Sequence, residues 1–184
     1  MPKKILIVAG DAAEALEVMY PYQRLLEEGF EVKIAAPSKK VIQLVVHDFE
    51  PGFDTYTEKL GYRIQTDLDF EEVKPDLYDG LVIPGGRAPE YIRNNKNLQK
   101  IVKYFFDAGK PVAGICHASL ILTAMGLVKG KTLTAYPALR SDIENAGGKF
   151  IDKEVVVDDN LVTSRAWPDH PAFMREFIKL IKSY

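Results

Sequence analysis

The chain has 184 residues, 47% of them apolar and 27% charged, with a formal net charge of -2. That length and balance suit one folded domain with a sizeable core, and they leave no electrostatic case for nucleic acid or an anionic membrane as partner. The single cysteine excludes an internal disulfide and points to a reducing cytoplasm.

"KKILIVAG" (3–10) predicts a buried strand that runs into glycine. It is too short to span a membrane, and its apolar run ends at Asp11, unlike a signal peptide. Residues 14–28 predict a helix with Gly29 at its C-terminus and a kink at Pro21. "EVKIAAP" (31–37) predicts a second strand. The stretch 38–61 lacks a clean period and is long for a loop, so it reads equally as a functional loop or as an inserted subunit contact. "YDGLVIPGG" (78–86) predicts a third strand, 97–109 an amphipathic helix, and "KPVAGI" (110–115) a fourth strand followed by a helix from Cys116. "KTLTAY" (131–136) predicts a strand and 137–148 a helix. Residues 154–165 predict two strands about a turn at Asp158–Asn160, and 169–184 a closing helix.

This alternation predicts an α/β fold: a mostly parallel sheet with helices on both faces. Ligands bind such sheets outside the carboxyl ends of the strands. That rule gathers "AGDAAEALE" (9–17), "PGGRAPE" (84–90) and "CHA" (116–118) on one rim. A lone Cys116 is either a small buried hydrophobe or a nucleophile. At a strand-to-helix junction, free N–H groups and the helix dipole favour a thiolate and lower the thiol pKa, and a tight turn lifts the side chain as in a nucleophile elbow. The junction favours the nucleophile. Gly85 and Gly86 form either a plain turn or an oxyanion hole, since a backbone without Cβ can aim an N–H at a developing negative charge.

Glu14 and Glu17 share one face of the first helix. One acidic residue there offsets the dipole, but Glu17 sits among Leu16, Val18 and Met19. Apolar surroundings raise a carboxyl pKa and suit it to proton transfer. His117 adjoins Cys116, and successive helical side chains point about 100° apart. It therefore pairs poorly with the thiol unless the turn is strained, and Glu17 is the preferred proton carrier. "GLVKGKT" (126–132) has the wrong spacing and context for a phosphate loop. His47 and His170 lack metal-ligand spacing with His117, so no metal and no organic cofactor is expected.

"GLVIPGGRAPEYIR" (80–93) with "GKPVAGICHASLIL" (109–122) resembles the ThiJ/PfpI superfamily. Supporting pieces lie at 14–25, 134–165 and 170–181, so the resemblance covers nearly the whole chain. It implies a flavodoxin-like three-layer sandwich related to class I glutamine amidotransferases. "GDAAEALEVMYP", "VVHDF" and "YDGLVIPGGRAPEYI" further resemble the plant-type glyoxalase III branch, whose members are often tandem repeats. The resemblance therefore implies that a homo-oligomer supplies the second copy. It also implies Cys116 as nucleophile, Glu17 bonded to its sulfur, and His117 and Glu90 as the rest of a triad, with Glu90 reaching in from a neighbouring subunit. Gly86 and the His117 N–H would form the oxyanion hole, and Glu14, Gly85, Ala118 and His47 would line the substrate pocket. Ala118 and Ser119 depart from the glycine and proline common after the Cys-His pair, and Ala15 from an acidic residue. The implied activity is glutathione-independent conversion of methylglyoxal or glyoxal to the hydroxy acid, or deglycation of sugar-type adducts. A cysteine peptidase and a non-enzymatic redox sensor or chaperone are the alternatives.

Overall fold

The computed structural model describes Met1–Tyr184. In chain order the elements are β1 (Lys4–Val8), α1 (Ala15–Glu27), β2 (Glu31–Ala36), β3 (Val41–Asp48), β4 (Thr57–Gln65), β5 (Leu68–Asp69), β6 (Gly80–Ile83), α2 (Ala88–Ile92), α3 (Lys96–Asp107), β7 (Val112–Ile115), α4 (Ser119–Ala124), β8 (Thr132–Leu133), α5 (Arg140–Asn145), β9 (Lys149–Phe150), β10 (Val155–Asp158), β11 (Leu161–Ser164) and α6 (His170–Ser183).

Seven strands form one sheet in the order β10-β11-β7-β6-β1-β2-β5. Every pairing is parallel except β10 with β11. The fold is thus α/β with a mostly parallel sheet, as its alternating pattern predicts. The central strands β1, β6 and β7 are apolar and buried, apart from the half-buried Lys4 at the start of β1, which is why they read as continuous runs and not as alternation. Helices α1 and α6 pack together, while α4 packs with α2 and α5. Registers Ile7↔Val82 and Ile83↔Gly114 bring the ends of β1, β6 and β7 side by side. The three rim segments therefore emerge at adjacent points of one sheet edge.

Three elements differ from expectation. The stretch 38–61 is no loop: β3 and β4 pair as an antiparallel hairpin, with a bulge between Gln43 and Val45. Strand β4 is exposed along most of its length, so it carries none of the apolar alternation that marks a strand. Pro21 lies inside α1, yet the helix runs unbroken from Ala15 to Glu27. The cost is that the Glu17 carbonyl finds no N–H at position 21. Residues 131–136 do not join the main sheet, because β11 already pairs with β7. Only Thr132–Leu133 is a strand, paired with β9, and the next N–H, of Thr134, bonds the Thr163 hydroxyl at 3.0 Å.

Candidate active site

Strand β7 ends at Ile115, and Cys116 follows with φ +59, a left-handed conformation that a residue with a Cβ adopts only under constraint. The reversal lifts the sulfur toward the rim, and a 3-10 turn over Cys116–Ala118 leads into α4. Cys116 is nevertheless only 5% exposed. Its opposite wall is Gly85, after β6. A Cβ placed on Gly85 would stand 2.6 Å from Cys116 Cβ, 2.6 Å from Glu17 Oε2 and 2.8 Å from the His117 nitrogen. Glycine is required here because three segments converge on this one point.

Glu17 comes up from α1 and is 1% exposed. Its Oε2 accepts the Gly85 N–H at 2.8 Å. Burial and the nearby charge of Glu14 push its carboxyl up to about 8, against opposing hydrogen bonds from Gly85 and Cys116. Glu14 caps α1: its Oε2 accepts the Glu17 N–H at 2.8 Å, while Oε1 is buried without a partner. Burial raises the Glu14 carboxyl as well.

The Cys116 thiol is raised well above its usual value, first by burial and then by the Glu17 charge. This corrects the expectation that the junction lowers it. A sulfur shut away from water beside a carboxylate loses more than the short turn and its dipole return. The backbone N–H groups of Gly86 and His117 act the other way, favouring the thiolate.

His117 corrects a second expectation. Its Nδ1 lies 3.1 Å from Cys116 Sγ, because the strained turn removes the helical angle between neighbours. The ring stacks on Tyr136 at 5.2 Å and meets the edge of Tyr56 at 5.9 Å. Burial, aided by His47, lowers its pKa to about 4, so it is neutral at physiological pH.

The hairpin supplies the remaining wall. His47 is buried, stacks on Tyr56 at 4.3 Å, and its Nε2 lies 2.8 Å from Glu58 Oε2. The Arg87 guanidinium grips Glu58 through Nε and Nη2 at 2.8–3.0 Å. Paired chiefly with Arg87, Glu58 is held down at about 2. Ala118 is 1% exposed, with its methyl over Gly114, so it offers a substrate no surface. Glu90 is exposed on α2, and no hydrogen bond joins it to His117 within the chain. Tyr56, Glu58, Arg87 and Tyr136 belong to the site without having stood out in the sequence. Arg87 directly follows Gly86, the one signal available for it.

A cavity of ≈ 400 Å³ lined by Phe49, Tyr136, Pro137 and Arg165, among others, opens beside the ring that covers His117. The largest cavity, ≈ 520 Å³, lies between α1 and α6 and includes none of the rim residues.

Residues 3–180 match the DJ-1/PfpI family. The chain is 48% identical over 179 residues to deglycase PfpI of Pyrococcus furiosus, covering 97% of this chain and 99% of that protein. It is 41% identical over 186 residues to protein DJ-1 homolog D of Arabidopsis thaliana, covering 97% of this chain but 48% of the plant protein. Among solved structures, it superposes on a two-domain protein from Anabaena variabilis that contains DJ-1/ThiJ/PfpI-like and ferritin-like domains. There the TM-score is 0.83 and the identity 31%, over 96% of this chain and 47% of that one. The chain belongs to the DJ-1/PfpI family.

Proposed function

Proceeding from membership of the DJ-1/PfpI family, we propose that this chain is a cysteine-dependent enzyme acting on reactive dicarbonyls and their adducts. It would convert methylglyoxal or glyoxal to the hydroxy acid without glutathione, and would remove early sugar-type adducts with the same groups. The observation that carries this reading is the buried Cys116–Glu17 pair, closed in by the N–H groups of Gly86 and His117. A deglycase with 48% identity over nearly its whole length supports it.

In the fraction of molecules whose Glu17 is ionised, Cys116 gives its proton to Glu17, whose carboxyl at about 8 is a far better acceptor than His117 at about 4. The thiolate adds to the aldehyde carbon, and the carbonyl oxygen takes up negative charge against the Gly86 and His117 N–H groups. Proton return to that oxygen completes a hemithioacetal. Glu17 then takes the hydrogen from the attacked carbon and the second carbonyl oxygen is protonated, giving an enediol; a proton is delivered to the second carbon as the hydroxyl on the attacked carbon gives up its own and its C=O re-forms. The product is a thioester of the 2-hydroxy acid. Water hydrolyses it, releasing lactate from methylglyoxal or glycolate from glyoxal and restoring the thiol. Glu14 holds the N-terminus of α1 so that Glu17 stays aimed at the sulfur.

Peptide cleavage fits less well. An amine leaving group needs an effective acid, and an imidazole held near 4 carries little proton at neutral pH. We further propose self-association through the exposed apolar side chains Leu16, Leu60 and Tyr62, which would let a partner's Glu90 approach His117.

The test is lactate formation from methylglyoxal in the absence of glutathione, with a glycated peptide as second substrate. Turnover of either that disappears in Cys116→Ser supports the reading. Turnover that persists in Cys116→Ser sinks the nucleophile, and absence of both activities in the wild type sinks the function.

A further inference from the structure

Gly86 and His117, the two expected oxyanion donors, have one structural link in common: the β3–β4 hairpin. Gly86 has φ +74, and a Cβ there would run into the backbone of Ala12, Ala13 and Glu14. Its peptide is therefore held on the α1 side by contact with residues 12–14. On its other side comes Arg87, anchored at two points. The Arg87 N–H donates to the Ala12 carbonyl at 2.8 Å. The Arg87 side chain is pinned bidentately by Glu58 of β4. The second Glu58 contact leads to the other donor: His47 Nε2 at 2.8 Å, then the Tyr56 ring at 4.3 Å, then the His117 ring at 5.9 Å. The hairpin itself is tied down beside His47, whose carbonyl accepts the Trp167 indole N–H at 3.2 Å.

We infer that Glu58 is a positioning residue: through Arg87 on one side and His47 and Tyr56 on the other, it holds the Gly86 and His117 donors in register with Cys116. The inference rests on the reading of those two N–H groups as the oxyanion hole. A carboxylate is the fitting group for the post. It accepts the planar guanidinium fork and the imidazole together, so one side chain fixes both branches. The role is mechanical and not a matter of charge near the sulfur, and the two alternatives predict different signs.

The experiment follows the pH dependence of Cys116 alkylation by iodoacetamide in the full chain, alongside methylglyoxal turnover. The ionisable groups of the network around the thiol are Glu14 and Glu17 from α1, His117 and Tyr136, and His47, Tyr56 and Glu58 from the hairpin, with Arg87 and Glu90 from the segment after β6. If charge alone matters, Glu58→Ala removes a negative charge and lowers the thiol pKa, while Arg87→Ala removes a positive one and raises it. If position matters, both variants loosen the same N–H donors and both raise the pKa, by about half a unit or more. Arg87→Lys keeps the charge but not the fork. It behaves like Arg87→Ala under positioning and like wild type under simple electrostatics. In turnover, each variant loses about tenfold or more in kcat with KM within about twofold, and the double variant loses no more than the worse single. The half-exposed pair contributes little to stability, so melting temperatures stay close to wild type. Shifts of opposite sign, unchanged alkylation profiles, or losses of kcat that track losses of melting temperature overturn the inference. Same-sign shifts in a protein with no turnover uphold the positioning role and overturn only the proposed substrate.

Discussion

Replacing Glu17 by Gln separates the proton carrier from the shape of the pocket. The amide is nearly isosteric with a protonated carboxyl, so the two proteins should be similarly stable where Glu17 is protonated in both folded and unfolded states. Folding raises the carboxyl from 4.5 to about 8. The folded state therefore binds more protons than the unfolded state between those limits, and wild-type stability falls as pH rises through that window. At 1.36 kcal/mol per unit, the deficit of wild type relative to Glu17→Gln grows from near zero around pH 4 to about 3 kcal/mol at pH 7 and about 4 kcal/mol at pH 8. Urea titrations followed by the single tryptophan, Trp167, measure both curves. The same variant should lose about 10²- to 10⁴-fold in turnover, the usual worth of a positioned acid–base group. Stability curves that run parallel from pH 5 to pH 8 would refute the buried-carboxyl reasoning. Retained turnover would refute the proton-carrier role even if the curves diverge.

Other expectations follow from the same geometry. Gly86→Ala forces a side chain into a left-handed backbone, with its Cβ 2.5 Å from the Ala12 oxygen and 2.8 Å from the Ala13 carbonyl carbon. It should destabilise by at least about 1–2 kcal/mol and abolish measurable turnover; wild-type melting behaviour would contradict the close packing. His117 and His170 are both buried and lowered to about 4. The unfolded state takes up protons first, so the stability these two rings contribute, opposite in sign to that of Glu17, should fall as pH drops from 6.5 to 4, with NMR showing both rings neutral at pH 5.5. Charged rings at that pH would refute it. If Glu90 acts across a subunit contact, Glu90→Gln should lower kcat only in the associated protein, and Leu60→Glu should dissociate it in light scattering. A wild type that runs as a monomer at assay concentration would remove Glu90 from the site.

The sheet was legible because its central strands are short, buried and bounded by glycines, as in "GLVIPGG" and "PVAGI". The rim rule then placed Glu17, Gly85, Gly86 and Cys116 together without any contact information. The hairpin was not legible, since β4 lies on the surface and carries almost no burial pattern. With it went Tyr56 and Glu58, whose importance comes only from where the hairpin folds. The placement of His117 was left open for a different reason. Helical geometry separates neighbouring side chains, but Cys116 at φ +59 is not helical, and periodicity says nothing about one strained residue.

The thiol pKa shows why such a strained elbow needs a partner. A nucleophile at a helix N-terminus is normally activated by stabilising its anion. Here burial and Glu17 oppose that, raising thiol and carboxyl together. Once two such acids in contact have lost one proton, they share the single negative charge between them, and moving the remaining proton from sulfur to carboxyl costs less than releasing it to water. The thiolate therefore forms only as Glu17 takes its proton. Under the proposed mechanism a small carbonyl exploits that moment, because its oxygen takes up the Gly86 and His117 N–H groups just as the negative charge moves onto it. A reagent that presents no such oxygen gains nothing from those donors. This arrangement accordingly predicts slow alkylation of Cys116 at neutral pH beside fast addition to dicarbonyls, and comparing the two rates in one preparation would show whether the shared proton sets that preference.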